Sequence, residues 1–332
     1  MKAVVVGSGA WGTALATRLC KNGHDVTMWT FEKDLIPEME STRRNPRLTG
    51  AILPDTLKIS DSYTCAAGCP MVVMASPSFP IRSVCRGVAP YLDESTVVVS
   101  VTKGLEPKTQ KRMSEVVAEE TNRPVVVLTG PSHAEEVALD VPTACLSACE
   151  NRELAEFVQD AFMSDNFRIY TSPDPVGAEL GAALKNVIAL CAGISDGLGC
   201  GDNTKAMLMT RGLTEMARLG VSLGAGKETF AGLAGVGDLI VTCTSMHSRN
   251  RRAGILIGQG KTAKQAMDEV GAVVEGYYAA QSAWELCRKQ GVEMPILQAA
   301  YNVLYHDVPA REAFSALLVR PRRAESEDAG WL

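Results

Sequence analysis

Strand-like and helical patterns alternate along the first half of the chain. Short apolar runs, typical of buried strands, occur at 3–6, 25–29, 71–75, 96–101, 125–128 and 143–147. Helical periodicity lies between these runs, for example at 11–22 and 108–120. This alternation predicts an α/β domain with a doubly wound parallel sheet.

The pattern changes at Ser172-Pro173-Asp174-Pro175. Beyond it the strand-like runs disappear, and helical patterns follow at 177–194, 203–223, 251–258, 275–290 and 296–304. We therefore predict an N-terminal sheet domain over 1–172 and an all-α domain over 173–319. Residues 320–332 are charged and poor in apolar positions, which predicts a mobile tail.

A glycine motif lies between the first strand and the first helix. Gly7, Gly9 and Gly12 follow the run 3–6 directly and precede the helical pattern at 11–22. In a Rossmann domain, the first glycine allows the tight turn, the second lets the backbone approach the pyrophosphate, and the third permits close helix–strand packing. The helix N-terminus then offers free N–H groups to the phosphates. The motif predicts a Rossmann domain that binds a nicotinamide or flavin dinucleotide.

The composition excludes several classes of function. The chain has 332 residues, of which 46% are apolar, and this is enough for two hydrophobic cores. Its net charge of −5 argues against nucleic acid or an anionic membrane as a general partner. The N-terminus leads straight into a strand, so we expect no signal sequence, no membrane insertion and a cytoplasmic location.

The ten cysteines and four histidines form no recognisable zinc spacing. The cysteines are scattered along the chain. We therefore expect reduced thiols that pack as small apolar side chains, and no metal.

Lys185 is the only charged residue of the apolar pattern 180–194. A helix that is apolar nearly all round is buried, and a buried ammonium group must find a partner or lower its pKa. Such a lysine can act as an acid or base near neutral pH. The alternative is a lysine whose stem is buried while its head reaches water.

A glycine-rich stretch at 232–242 contains Asp238 and Thr242, which share one helical face if Asp238 opens a helix. Asp238 is a candidate partner for Lys185. It is equally a candidate helix N-cap, because aspartate is a favoured capping residue.

A basic cluster follows at Ser248-Arg249-Asn250-Arg251-Arg252. A capping serine followed by guanidinium groups at a helix N-terminus suits a phosphate or a carboxylate. Arg249 and Asn250 are the candidates for direct contact. Arg251 or Arg252 is expected to belong to a solvated charge run, since both cannot face one ligand.

Two loops follow predicted strands, where ligands bind in open α/β sheets. One contains Lys103. The other is Gly130-Pro131-Ser132-His133-Ala134-Glu135, in which Ser132 and Glu135 have the spacing of a capping box. We interpret His133 as a loop residue rather than a catalytic base, because no local partner is evident.

Taken in order, these segments resemble bacterial NAD(P)-dependent glycerol-3-phosphate dehydrogenase over about residues 1–318. The resemblance rests on the glycine motif at 7–14, Pro77-Ser78 with Arg82, Lys103-Gly104, Gly130-Pro131-Ser132, Leu184-Lys185-Asn186-Val187, Gly237-Asp238-Leu239, Ser248-Arg249-Asn250 and Val274-Glu275-Gly276.

The resemblance implies a hydride exchange between glycerol 3-phosphate and NAD or NADP, with Lys185 as the proton acceptor. It implies a small-molecule phosphate substrate bound by Lys103, Gly130, Ser132, Lys185, Asp238, Thr242, Ser248, Arg249 and Asn250. It implies cofactor contacts at Gly7, Gly9, Ala10, Trp11, Gly12, Phe31, Lys103, Ala134, Arg249, Val273 and Glu275. It further implies a supply of glycerol 3-phosphate for phospholipid synthesis and, by analogy, a homodimer.

The chain departs from the family pattern in two places. The second strand ends in Trp29-Thr30-Phe31-Glu32, where the family often has an arginine near position 31, and 45–54 lacks a Tyr-Leu-Pro-Gly sequence. We therefore expect both cofactors to be used. Two other functions remain open at this stage: a 3-hydroxyacid or ketopantoate-type reductase, and a non-catalytic NAD(P)-binding redox sensor.

Overall fold

The computed structural model describes residues 1–322, 324 and 325, so the predicted tail at 320–332 lies mostly outside the described residues. The first half of the chain forms one eight-stranded sheet. Its strands are β1 (Lys2–Val6), β2 (Asp25–Trp29), β3 (Lys58–Ser60), β4 (Met71–Met74), β5 (Val97–Ser100), β6 (Val125–Thr129), β7 (Thr143–Ala148) and β8 (Phe167–Ser172). Their spatial order is β3-β2-β1-β4-β5-β6-β7-β8.

The first six strands are parallel and have the order of a Rossmann dinucleotide-binding sheet. The predicted α/β fold class is confirmed. The prediction of a wholly parallel sheet is wrong at one place, because β7 runs antiparallel to β6. The segment between these strands contains one short helix and returns the chain alongside β6. Strands β3 and β8 were not predicted, and β8 pairs parallel with β7.

Six helices connect the strands of the sheet. They are α1 (Ala10–Lys21), α2 (Ile36–Thr42), α3 (Ile81–Val88), α4 (Met113–Thr121), α5 (Ala134–Ala138) and α6 (Arg152–Phe162). The helix predicted at 108–120 begins only at Met113. Lys108 and Gln110 have φ of 73° and 58°, in the left-handed region that a helix does not use.

The second half of the chain, up to residue 318, is helical. It contains α7 (Pro175–Gly197), α8 (Asp202–Ser222), α9 (Lys227–Ala231), α10 (Asp238–Thr244), α11 (Arg249–Gly258), α12 (Ala263–Val270), α13 (Glu275–Gln290), α14 (Pro295–Tyr305) and α15 (Ala310–Leu318). A π-helical turn, Leu233–Gly237, leads directly into α10. The predicted all-α second half is confirmed, and the predicted range 275–290 coincides with α13.

Helix α7 is the centre of the helical half. It is long and apolar enough to cross a membrane by length and composition, with a mean hydropathy of 1.3, but 94% of its most apolar window is buried inside the protein. It is therefore the core helix that the helices around it cover. Its N-terminal part is tied to the sheet half by the buried Glu179, which accepts hydrogen bonds from the Arg112 guanidinium (2.7 Å) and the Ser114 backbone N–H (2.7 Å).

Helices α7 and α11 cross in direct backbone contact. A Cβ added at Gly193 would lie 2.1 Å from the carbonyl oxygen of Arg251, and one added at Gly254 would lie 2.1 Å from that of Leu190. Gly197 and Gly258 make the equivalent contacts one turn further along. Glycine is required at this crossing because any side chain would force the two helices apart.

Candidate active site

Lys185 is buried in the middle of α7, with 6% of its side chain exposed. Its Nζ donates a hydrogen bond to Oδ1 of Asp238 and another, of 2.8 Å, to Oγ1 of Thr242. The prediction that this lysine is buried and paired is confirmed. The alternative, in which the ammonium group reaches water along the surface, is excluded by this burial.

Asp238 is the first residue of α10 and is 1% exposed. The N-cap position belongs to Gly237, so the capping interpretation of Asp238 is wrong. Thr242 lies one turn later on the same helical face, as predicted, and its hydroxyl donates to the Asp238 carbonyl oxygen (2.6 Å). The turn thus presents a carboxylate and a hydroxyl oxygen to Lys185.

Lys103 reaches the same carboxylate from the sheet half. It follows β5, and its Nζ donates to Oδ2 of Asp238 (3.0 Å) and to the carbonyl oxygen of Gly130 (3.2 Å). Asp238 therefore holds two lysines, one on each oxygen. The arrangement joins the carboxyl edge of the sheet to the core helix, and 21% of the Lys103 side chain remains exposed.

The pKa of Lys185 is lowered to about 7. Burial is the largest cause, because it disfavours the charged ammonium form, and the neighbouring charge of Lys103 acts in the same direction. The Asp238 carboxylate opposes both. A lysine with this pKa can both accept and donate a proton near neutral pH.

The loop after β6 places Gly130 and Ser132 beside Lys103. Gly130 has φ of 147°, and the Ser132 hydroxyl donates to its carbonyl oxygen (3.0 Å). The predicted capping box is wrong, because His133 is the N-cap residue of α5 and makes no side-chain cap. The Ser132 hydroxyl is instead bound within its own turn. The Ser132 side chain thus lies in the loop rather than over the helix.

The basic cluster lies at the start of α11. Ser248 is the N-cap, as predicted, and its hydroxyl accepts from the Arg251 N–H (3.2 Å). Arg249 is exposed at the first position of the helix. Asn250 is buried. Its Nδ2 donates to Oδ1 of Asn186 (3.0 Å), and its Oδ1 accepts from the Gly276 N–H (2.8 Å). These two bonds leave one Nδ2 hydrogen of Asn250 for a ligand.

Arg251 does not belong to a solvated charge run. Its Nε and Nη2 donate to one carboxylate oxygen of Asp196 in α7 (3.0 and 2.8 Å), and Lys205 binds the other oxygen (2.8 Å). Arg251 thus forms an ion pair that links α11 to α7. Of the cluster's three arginines, Arg249 is the exposed one, and Arg251 and Arg252 are partly buried.

The glycine motif has the geometry that a dinucleotide needs. A Cβ at Gly7 would lie 2.7 Å from the Ala75 carbonyl oxygen, and one at Gly12 would lie 2.0 Å from that of Gly7. A Cβ at Gly9, by contrast, would meet no protein atom within 4 Å. Gly7 and Gly12 are needed for close packing, and Gly9 faces open space at the N-terminus of α1. Ala10 and Trp11 are the first two residues of that helix.

The remaining predicted cofactor residues come from both halves of the chain. Ala134 begins α5, and Glu275 begins α13 and accepts from the Ser78 hydroxyl (3.0 Å). Burial raises the pKa of Glu275. Val273 is half-buried, two residues before Glu275. Phe31 is 83% exposed beyond the end of β2.

Sequence reasoning missed two residues at this site. Asn186, next to Lys185, orients the buried amide of Asn250, and Arg47 forms an ion pair with Glu32 beyond β2. Each is a long-range contact between segments. The position of Asn186 next to Lys185 could have indicated that Asn186 belongs to the site. Nothing in the sequence indicated the pairing of Arg47 with Glu32.

Two family models cover this architecture. The model described as NAD-dependent glycerol-3-phosphate dehydrogenase N-terminus matches residues 2–155, and the C-terminus model matches residues 174–315. The chain belongs to this family. Its enzyme class, an NAD(P)-dependent glycerol-3-phosphate dehydrogenase, and its cofactors, NAD or NADP, are therefore as predicted.

Individual relatives agree. The chain is 51% identical over 331 residues to the glycerol-3-phosphate dehydrogenase [NAD(P)+] of Geobacillus kaustophilus, covering 98% of this chain and 96% of the relative. It is 49% identical to that of Moorella thermoacetica over 98% of both chains. The solved glycerol-3-phosphate dehydrogenase of Coxiella burnetii superposes with a TM-score of 0.92 at 38% identity, covering 96% of this chain and 99% of that one. These matches favour the dehydrogenase over the reductase and sensor alternatives.

Proposed function

We propose that this glycerol-3-phosphate dehydrogenase interconverts sn-glycerol 3-phosphate and dihydroxyacetone phosphate at the Lys185–Asp238–Lys103 cluster. The observation that carries the proposal is the buried lysine of near-neutral pKa, joined by one carboxylate to a lysine at the carboxyl edge of the sheet. Assays of the purified protein with NADH or NADPH against dihydroxyacetone phosphate and ketopantoate test the substrate. Turnover of ketopantoate alone would contradict the proposal.

Each residue of the cluster has a distinct role. The bound nicotinamide supplies or accepts the hydride at the secondary carbon. Lys185 accepts the hydroxyl proton during oxidation and returns it to the carbonyl oxygen during reduction. Asp238 and Thr242 orient Nζ of Lys185, and Lys103 polarises the substrate oxygen. In this proposal a lysine from each half of the chain contacts the reacting group.

The phosphate is proposed to bind at the N-terminus of α11. Arg249 supplies the bidentate contact, and Asn250 donates its remaining amide hydrogen. Ser248, Gly130 and Ser132 complete the polar lining. The helix dipole favours the anion at this end, and phosphate binding energy then aligns the reacting carbon with Lys185.

The setting of the reaction follows from the same proposal. Residues 1–172 bind the cofactor, residues 173–319 bind the substrate, and the product supplies glycerol 3-phosphate for phospholipid synthesis. The ten cysteines are all free, which fits a reducing cytoplasm.

A homodimer is proposed by analogy with other helical domains that follow Rossmann folds. The acidic net charge argues against nucleic acid as a partner.

The two reaction directions should have opposite pH profiles. Oxidation requires neutral Lys185 and reduction requires the ammonium form, so kcat/KM for oxidation should rise, and that for reduction should fall, as the pH passes through about 7. Initial rates between about pH 6 and pH 8 in both directions check this. If kcat/KM changed with pH in the same way for oxidation and reduction, Lys185 would not be the group that transfers the proton.

Arg249→Ala should raise the KM for dihydroxyacetone phosphate by about ten- to a hundredfold, because a charge-assisted bidentate contact is lost. Arg249→Lys should recover only part of this, since an ammonium group lacks the planar fork. The cofactor should also bind more weakly. Lys264→Ala, which removes an exposed cation from α12, is the control. An unchanged KM in Arg249→Ala would place the phosphate elsewhere.

A further inference from the structure

An ion pair lies beyond the carboxyl end of β2, where Rossmann proteins bind the adenosine ribose. Nη2 of Arg47 donates to Oε1 of Glu32, and Nε of Arg47 donates to Oε2 (3.3 Å). Arg47 comes from the connection between α2 and β3, fifteen residues further along the chain. The hydrogen bonds from Arg47 lower the pKa of Glu32, so the carboxylate is charged at neutral pH.

Both partners of this ion pair are anchored to the glycine turn. The Asn45 amide, which is 2% exposed, donates to the Ser8 carbonyl oxygen (2.9 Å) and to the Thr13 hydroxyl (2.8 Å). On the other side, the Thr30 hydroxyl contacts the Ser8 hydroxyl (2.6 Å) and accepts from the Glu32 N–H (3.1 Å). Oδ1 of Asn45 accepts from the Arg47 N–H (2.8 Å). The backbones of Glu32 and Arg47 are therefore both tied to the glycine turn, while their side chains stay partly exposed.

Two neighbouring cations bind groups other than Glu32. Lys33 binds Asp61 (3.0 Å), and the Arg43 guanidinium donates to the carbonyl oxygens of Pro54 and Leu57. Arg47 retains 57% exposure of its side chain, and Glu32 retains 35%. Arg47 is thus the guanidinium that is held against the carboxylate at the end of β2 while keeping an exposed face.

We propose that Arg47 binds the 2′-phosphate of NADP and that Glu32 binds the ribose hydroxyls of NAD. With NAD bound, Arg47 stays on Glu32 while a carboxylate oxygen accepts from a hydroxyl. With NADP bound, the guanidinium moves to the phosphate. An exposed ion pair costs little to open, so neither cofactor is strongly excluded. The inference rests on the cofactor site at the glycine motif and explains how one chain uses both cofactors.

Direct binding of nucleotides tests this without turnover. Arg47→Ala should raise the Kd of NADPH and of 2′,5′-ADP by about ten- to a hundredfold, because a charge-assisted contact is lost, while the Kd of NADH changes much less. Glu32→Gln should weaken NADH and strengthen NADPH, since the guanidinium is then released. Isothermal titration of each variant gives these constants. Equal changes for NADH and NADPH in Arg47→Ala, or none, would overturn the proposal.

Two further variants separate the possible causes. Arg44→Ala removes an exposed arginine of the same segment. If Arg44→Ala and Arg47→Ala lost equal affinity for NADPH, the effect would come from the general positive charge of the segment, and the assignment of Arg47 would be overturned. Gly9→Val places a side chain where no protein atom lies within 4 Å, so the fold should survive while both cofactors lose binding. Normal binding of both cofactors to Gly9→Val would show that the cofactor site itself lies elsewhere.

Discussion

Lys185→Ala should lower kcat by about a thousandfold or more in both directions, while the cofactor still binds with nearly its normal Kd. The variant lacks the group that exchanges the proton, and positioned acid–base groups contribute about a hundred- to ten-thousandfold. The glycine motif is unaffected by the change. Steady-state kinetics together with titration of NADH measure the two quantities separately.

The control for Lys185→Ala is Lys205→Ala, which also removes a poorly exposed, carboxylate-bound lysine from the helical half. Its kcat should stay close to that of the parent protein. Thermal unfolding of both variants shows whether either has lost its fold. Near-normal turnover by a folded Lys185→Ala protein would leave this lysine with a structural role only.

Asp238→Asn should have the second largest effect, about a hundredfold on kcat for reduction of dihydroxyacetone phosphate and less on oxidation. The Asp238 carboxylate is what raises the pKa of Lys185 against burial and the charge of Lys103. Without it, Lys185 is neutral at pH 7 and no longer donates a proton. The pH profile for reduction should therefore shift to lower pH.

Asp196→Asn is a matched control for that variant. Asp196 also binds two cations, Arg251 and Lys205, but lies near the C-terminal end of α7. It should lower the free energy of unfolding without moving the pH profile. If Asp238→Asn lowers activity with an unchanged profile, Asp238 supports the fold and does not set the protonation of Lys185.

The local features of the chain were largely predictable. Gly7, Gly9 and Gly12 specified the Rossmann turn, because few other structures need glycine at that spacing between a strand and a helix. Lys185 was predicted to be buried and paired because one charge in an apolar helix is costly, and the structure shows both. Helical periodicity placed α13 with its observed limits. In each case the physical signal lies within a few residues of sequence.

Other features depend on contacts that no local pattern encodes. The direction of β7 relative to β6 is set by how the loop between them packs, and strand periodicity is the same in either direction. The spacing of Ser132 and Glu135 suggested a capping box, but α5 begins one residue later than that spacing requires, with His133 at the N-cap, and the Ser132 hydroxyl donates to the Gly130 carbonyl oxygen. The bond from Lys103 to Asp238 joins residues 135 positions apart.

The glycine crossing of α7 and α11 has a consequence for substrate preference within this fold. Lys185 lies on one of these helices and Arg249 on the other, and the two helices touch through peptide groups that have no rotamers to change. Repacking of apolar side chains elsewhere leaves this spacing intact. A new substrate of different length must therefore be accommodated by residues at the helix ends, such as those around Arg249, because the separation of the two helix axes is already at its minimum.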